Sequence, residues 1–171
     1  MEITKAVETD LDSLMELFDF VKEHLMQDEI YQWDSRYPNR NIVHEDIEKD
    51  YLYGIIQDSQ YIGAIAINEL QEAEYLTLNW DDTQGKSLCV HRLVVHPKNQ
   101  GKGIGKKLLL FAEETAFNNG YSSIRLDAYS GNPIALSLYE RNGYRRKGEI
   151  YFPRRELPFI CYEKLIRNVV K

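Results

Sequence analysis

The 171-residue chain is 43% hydrophobic, 28% charged and 12% aromatic, with ten glycines and five prolines, which excludes collagenous, low-complexity and disordered classes and suffices for one ordinary core. No apolar run nears the roughly 18 to 20 residues of a membrane span, and Met1-Glu2-Ile3-Thr4 lacks the opening of a signal peptide, so a cytoplasmic protein without a membrane partner is expected. Net charge −6 argues against nucleic acid as a partner, yet residues 1–82 carry 20 acidic and 5 basic groups, residues 83–171 carry 7 and 16, and no carboxylate occurs from Thr83 to Ala112. That division suits an anionic ligand on the second half and a cationic one near the first; two segregated solvated faces are the plainer alternative.

Along the chain, Ile3 to Val7 reads as a short strand. Thr9 or Asp10 is placed to cap a helix with Leu11, Leu14, Phe18, Val21 and Leu25 at alternating three- and four-residue spacing. Tyr31 to Asn41 is turn-like and aromatic, and Val43 to Leu52 suits a short helix. Asp58-Ser59 separates two strand-like runs, Leu52 to Gln57 and Gln60 to Leu70, as a hairpin, whereas 71–87 is polar and shows no period. Leu88 to His96 is a nearly continuous apolar strand that Pro97 ends. Ile104, Leu108, Phe111, Ala112 and Thr115 mark a helix face stopping at Asn118-Asn119-Gly120, and Ile124 to Ala128 is a strand with Arg125 and Asp127 opposite its apolar face. Asn132-Pro133 starts another helix with Ala135, Leu138 and Tyr139 inward, and the runs Tyr144 to Phe152 and Phe159 to Ile166 suit a closing hairpin. The class is mixed α/β. No repeat or linker divides the chain, so 1–171 reads as one domain. Cys89 and Cys161 lie in apolar alternating runs without a Cys/His set at zinc spacing, so they read as reduced core thiols and no metal is expected.

The run His96-Pro97-Lys98-Asn99-Gln100-Gly101-Lys102-Gly103-Ile104-Gly105-Lys106-Lys107 sets three alternating glycines at a helix start. Glycines let the backbone approach a ligand closely, successive amides point one way, and the helix start adds about half a positive charge. A tight turn with solvated lysines needs only one glycine. Gly85-Lys86-Ser87 has the tail of a P-loop, but Trp80 stands where its first glycine belongs; a dinucleotide fingerprint matches weakly, with Asp127 at about the distance of a ribose contact but Lys106 in place of the third glycine and the loop later than the first strand–helix unit.

These residues resemble the GNAT superfamily of acetyl-CoA-dependent N-acetyltransferases over nearly the whole chain. Leu93-Val94-Val95-His96-Pro97 followed by Gln100-Gly101-Lys102-Gly103-Ile104-Gly105 is similar to the family's Q/R-x-x-G-x-G/A pyrophosphate motif. Asn132 to Tyr144 is similar to its N-x-x-A-x-x-L-Y-E-x-x-G-F helix. The resemblance implies a central, mostly antiparallel mixed sheet flanked by helices, with a splayed strand pair holding acetyl-CoA. It implies that the backbone of Leu93, Val94 and Val95 lies along the pantetheine, that Gln100, Gly101, Lys102, Gly103, Ile104, Gly105 and Lys106 cradle the pyrophosphate, and that Asn132 touches the cofactor arm. Tyr139 matches the proton donor to the CoA thiolate, and a packed core tyrosine is compatible with that role.

An incoming alkylammonium must lose a proton before it attacks. Asp127 stands where protein-acetylating members carry a catalytic Glu and His91 where arylalkylamine-acetylating members carry a His, so Asp127, His91 or a water chain is left as the base. The alternatives are an ion pair of Asp127 with a nearby arginine and a hydrogen-bonded core histidine. Trp33, Asp34 and Tyr37 combine aromatic rings with a carboxylate and suit an ammonium by cation–π and Coulomb attraction, or else pin their loop to the core. Tyr151 to Arg155 offers a second wall. The expected function is acetyl transfer from acetyl-CoA to a primary amine by direct attack, the amine a small molecule rather than a protein; homodimerisation stays open. The competing reading is a noncatalytic acyl-CoA-binding or sensing domain.

Overall fold

The computed structural model describes residues 1–167. Its strands are β1 (Ile3–Lys5), β2 (Leu52–Gln57), β3 (Gln60–Asn68), β4 (Ser87–Val95), β5 (Ser123–Tyr129), β6 (Arg145–Ile150) and β7 (Phe159–Leu165), in one sheet of order β1-β2-β3-β4-β5-β7-β6. Its helices are α1 (Leu11–Gln27), α2 (Arg40–Glu48), α3 (Ile104–Asn118) and α4 (Pro133–Arg141). The architecture is mixed α/β with a mostly antiparallel sheet, as the resemblance implies. No helix among the described residues is long and apolar enough to cross a membrane.

Contacts cluster into two compact units. The first comprises Met1–Ile67 with Arg92–Leu109. In it β1, β2 and β3 run antiparallel, Ile3 opposite Ile55 and Leu52 opposite Ala66, and Asp58 and Ser59 both adopt positive φ (51° and 63°) at the hairpin tip. That backbone matches the right-handed strand twist, which is why a two-residue Asp-Ser loop suffices. Leu14, Phe18 and Val21 of α1, Val43 and Ile47 of α2 and Val94 of β4 share one apolar cluster. Burial of such side chains contributes roughly 1.5–3 kcal/mol each.

Two helices differ from the sequence expectation, α1 in its cap and α2 at both ends. Neither Thr9 nor Asp10 caps α1 with its side chain; the Asp10 carboxylate turns back to accept the Val7 N–H at 2.9 Å and closes a 3-10 turn over Glu8–Asp10. Helix α2 starts at Arg40, not Val43, because Asn39 Oδ1 accepts the Ile42 N–H at 3.0 Å. It also ends before Leu52, since Asp50 turns left-handed (φ 59°) and releases the chain into β2.

The second unit comprises Asn68–His91 with the residues from Leu110 onward. Antiparallel β5, β7 and β6 pair from Ser123 opposite Leu165 to Tyr129 opposite Phe159, and from Arg145 opposite Glu163 to Ile150 opposite Phe159. The amino-terminal part of β4 runs parallel to β5. Residues 71–87, featureless by period, hold a 3-10 turn at Ala73–Thr77 whose Tyr75 is fully buried. Cys89 and Cys161 are free and buried, as expected, and desolvation pushes the Cys89 thiol up to about 12, so it stays protonated.

Candidate active site

In the first unit the glycine loop leads from β4 into α3. His96 Nδ1 accepts the Lys98 N–H at 3.2 Å, and its ring stacks on Phe20 at 4.6 Å, fixing the chain where Pro97 ends the strand. Burial and the neighbouring Lys98 charge push this imidazole below its ordinary value, so it is neutral at pH 7. Gly101 and Gly103 have φ of 76° and 79°, a conformation that side chains resist, and a Cβ at either would meet no atom within 4 Å. The glycines therefore serve backbone conformation and approach from outside, not internal packing. The α3 ladder is joined by Lys107 N–H bonding to Gly103 O at 3.0 Å, so the amides of Ile104, Gly105 and Lys106 precede it. Gln100, Lys102 and Lys106 are exposed beside them. An anion of pyrophosphate chemistry fits this nest of amides and lysines.

Arg92 of β4 has φ 49°, a sparsely populated conformation for a residue with a side chain. It is held by two 2.7 Å bonds from Arg92 Nε and Nη2 to the Asp46 carboxylate and a 2.9 Å bond from Nη1 to Tyr37 Oη. Burial pushes the Asp46 carboxyl up, and the Arg92 guanidinium opposes it. Beyond Arg92 lie Leu93, Val94 and Val95; Val94 is buried in the first unit's core, and Leu93 and Val95 are half-buried. In the second unit, β4 pairs with β5 only at Ser87, Leu88 and Cys89, although β5 continues to Tyr129. The parallel ladder thus opens after Cys89, as the resemblance implies.

The second unit also carries the candidate acid–base groups. Asp127 keeps some accessible surface, yet desolvation raises its carboxyl to about 6, with Glu72 and Glu74 adding like charge and the Tyr75 hydroxyl, donating to Oδ2 at 2.6 Å, pulling the other way. Its partner is therefore a tyrosine and not the arginine weighed from the sequence. Arg125, two residues along the same face, pairs with Glu163 at 3.1 Å. His91 Nε2 lies 2.9 Å from Asn68 Oδ1 and 3.0 Å from Leu70 O. A carbonyl only accepts, so Nε2 carries the proton and any base function of His91 falls to Nδ1. Tyr139 is buried in α4 with its ring 6.0 Å from Tyr144 and 5.7 Å from Tyr162. Burial, then the Asp127 charge, holds its phenol well above the ordinary value, so it is a protonated donor at every physiological pH. Asn132 is buried at the α4 amino terminus, where Oδ1 accepts the Ala135 N–H at 3.2 Å.

The aromatic loop is fastened to its own unit. Trp33 packs on the apolar cluster with its ring 6.1 Å from Phe18, Asp34 Oδ1 accepts the amides of Arg36 (2.8 Å) and Tyr37 (3.2 Å), and Tyr37 holds Arg92. Residues that sequence reasoning missed are Tyr75 and Arg92. The available signals were aromatic Tyr75 and Trp80 within a polar stretch and a charged residue interrupting an apolar strand.

Residues 11–144 match the sequence model of the Acetyltransferase (GNAT) family. The chain is 27% identical over 145 residues to an uncharacterised N-acetyltransferase, YesJ, of Bacillus subtilis, covering 84% of this chain and 81% of that protein. It is 28% identical over 148 residues to an S-(2-succino)cysteine N-acetyltransferase of the same organism, covering 84% of each. Among solved structures, a GNAT-family acetyltransferase from Streptococcus agalactiae superposes with a TM-score of 0.83 at 20% identity, over 98% of this chain and 96% of that one. The PaiA N-acetyltransferase of Thermoplasma acidophilum, in complex with coenzyme A, gives a TM-score of 0.69 at 24% identity, over 96% of this chain and 98% of that one. With the family's match spanning both the glycine loop and all of α4, the chain belongs to the GNAT family of acetyltransferases.

Proposed function

We propose that the protein moves the acetyl group of acetyl-CoA to the primary amine of a small molecule by direct attack, with Asp127 as base and Tyr139 as acid. One observation carries this reading: Asp127, raised to about 6, lies in the same unit as Tyr139 and near enough for its charge to help hold that phenol protonated. Two groups whose environments suit opposite proton transfers are the signature of an acid–base pair. Acetyl-CoA supplies the activated acyl group and a thiol leaving group; the amides of Gly101 to Lys106 and the side chains of Lys102 and Lys106 hold its pyrophosphate.

At pH 7 Asp127 is mostly ionised and attracts the substrate ammonium, then takes one of its protons. Neutralising that carboxylate removes the charge that raises the Tyr139 phenol, so the acid strengthens as it is needed. The free amine nitrogen then bonds to the thioester carbonyl carbon, Tyr139 donates its proton to the sulfur as the carbon–sulfur bond breaks and regains one from the acylated nitrogen by way of solvent, and the proton held by Asp127 returns to solvent. The relative named for S-(2-succino)cysteine supports a small-molecule acceptor. The absence of a bilayer-spanning helix among the described residues is consistent with a cytoplasmic setting.

The test is turnover of acetyl-CoA across polyamines, arylalkylamines, amino acids and peptides, followed by Tyr139→Phe on the best acceptor. Loss of a positioned acid should lower kcat by about 10²- to 10⁴-fold with acetyl-CoA affinity nearly unchanged. Wild-type turnover on an acceptor whose chemical step is rate-limiting makes Tyr139 a packing residue. No turnover on any acceptor, with intact CoA binding, favours the noncatalytic acyl-CoA-binding domain.

A further inference from the structure

The 18-residue connection from β3 to β4 has no strand, yet it is fastened tightly around one side chain. Tyr75, 1% exposed, donates its hydroxyl to Asp127 Oδ2 at 2.6 Å. Its neighbour Leu76 is 90% exposed. An apolar clasp would bury the leucine; here the inward place goes to the residue with an O–H. Tyr75 O accepts Trp80 Nε1–H at 2.9 Å, and the two rings lie 5.2 Å apart. The indole sits 4.4 Å from the Arg125 guanidinium.

Arg125 in turn donates to Gln71 Oε1 at 3.0 Å and Asp82 O at 2.5 Å, and pairs with Glu163, which accepts the Asp81 N–H at 2.7 Å. The connection is thus tied down on both sides of Tyr75 by Arg125, which shares a strand and a face with Asp127. One strand carries both the carboxylate and the anchor of the phenol that grips it.

We propose that Tyr75 is a positioning residue for acetyl transfer, its hydroxyl fixing the Asp127 carboxylate through Oδ2 and leaving Oδ1 to take the amine proton. The inference rests on reading Asp127 as the base. The groups facing that carboxyl are Tyr75, Glu72 and Glu74 from the connection, Cys161 opposite it on β7, and Tyr139 of α4. Cys89 of β4 lies within electrostatic reach as well. Glu72 and Glu74 push the carboxyl up, and the Tyr75 hydrogen bond pulls it down. Without that bond Asp127 would be protonated over more of the neutral range and free to rotate.

The experiment compares pH profiles of kcat/KM for wild type, Tyr75→Phe, Asp127→Asn and a variant with 3-fluorotyrosine at position 75, alongside 13C NMR titration of the aspartate carboxyls. Tyr75→Phe should move the acidic limb up by about one pH unit, the loss of a hydrogen bond to a charged group. Its rate should fall roughly fivefold at pH 6 and roughly tenfold at pH 5, and recover by pH 9. Fluorotyrosine, a stronger donor that needs no refolding of the site, should move the limb down, and the Asp127 carboxyl resonance should shift in the same two directions. A merely structural tyrosine gives a pH-independent rate loss or a lower melting temperature with the limb in place, which overturns the proposal. If Asp127→Asn keeps the acidic limb, Asp127 is not the base and the reading beneath the inference fails. If Asp127→Asn loses the limb while both Tyr75 variants leave it unmoved, the inference about Tyr75 fails alone.

Discussion

Asp127 titrates near 6 in the folded protein against 3.8 when fully solvated, and that shift has a signed consequence for stability. Between those values the folded chain retains a proton the unfolded chain has released. Stability therefore declines as pH rises from about 4 through about 6, and above 6 the buried charge remains a destabilising term. Asp127→Asn keeps the shape and an acceptor for Tyr75 while removing the charge. The variant should melt at nearly the wild-type temperature at pH 4 and above it at pH 8, even as its acetyl transfer fails. Thermal unfolding of both proteins across this range checks it; a gap that does not change with pH means the carboxylate is already solvated in the fold. Such a trade of stability for function is ordinary at active sites.

At the scale of elements, the glycine loop shows which substitution is informative. Gly103 has φ 79°, so a side chain there strains the backbone whatever it does to a ligand, whereas Gly105 lies in the first turn of α3 and outside the positive-φ residues. In helix propensity valine at 105 costs no more than glycine already does, about 0.5–1 kcal/mol relative to alanine. Gly105→Val should keep its melting temperature within a few degrees and lose at least tenfold in CoA affinity by calorimetry. Gly105→Ala should bind nearly as wild type. Equal CoA affinity for valine and alanine removes the pyrophosphate assignment from this helix start.

The loop was legible because its chemistry is local: glycine spacing, lysines and a helix start are contiguous. Helix α1 and the β2–β3 hairpin were legible for the same reason, through period and the Asp58-Ser59 turn. The connection holding Tyr75 was not. Its shape is set by Arg125 and Glu163, more than 40 residues further along the chain, and no short window of sequence contains both a side chain and its anchor. The α2 start was misplaced for a smaller reason, that Asn39 as a cap extends the helix one turn before its apolar residues begin.

Over the whole molecule, the acidic and basic halves of the sequence are paired unevenly. Asp46 with Arg92, Asp81 with Lys147 and Glu69 with Lys86 each join an early carboxylate to a later cation. Lys98, Lys102 and Lys106 form no ion pair with a described residue and lie in the stretch that has no carboxylate of its own. Uncompensated charge at an exposed surface acts over a Debye length, about 10 Å at 0.1 M salt and about 3 Å at 1 M. A ligand held there by its phosphates should feel that contraction, whereas the buried Asp127–Tyr75 contact should not.

Raising ionic strength from about 0.05 to about 0.5 M is therefore expected to weaken CoA binding severalfold with little change in kcat at saturation. Replacing Lys102 and Lys106 together by glutamine should weaken binding at low salt and flatten its salt dependence, leaving the melting temperature almost unchanged because both side chains are exposed. Parallel salt curves for the two proteins would place the attraction elsewhere in the basic half. A flattened curve with an unmoved acidic limb in kcat/KM separates the two tasks, long-range capture by the lysines of the first unit and proton transfer by the buried groups of the second.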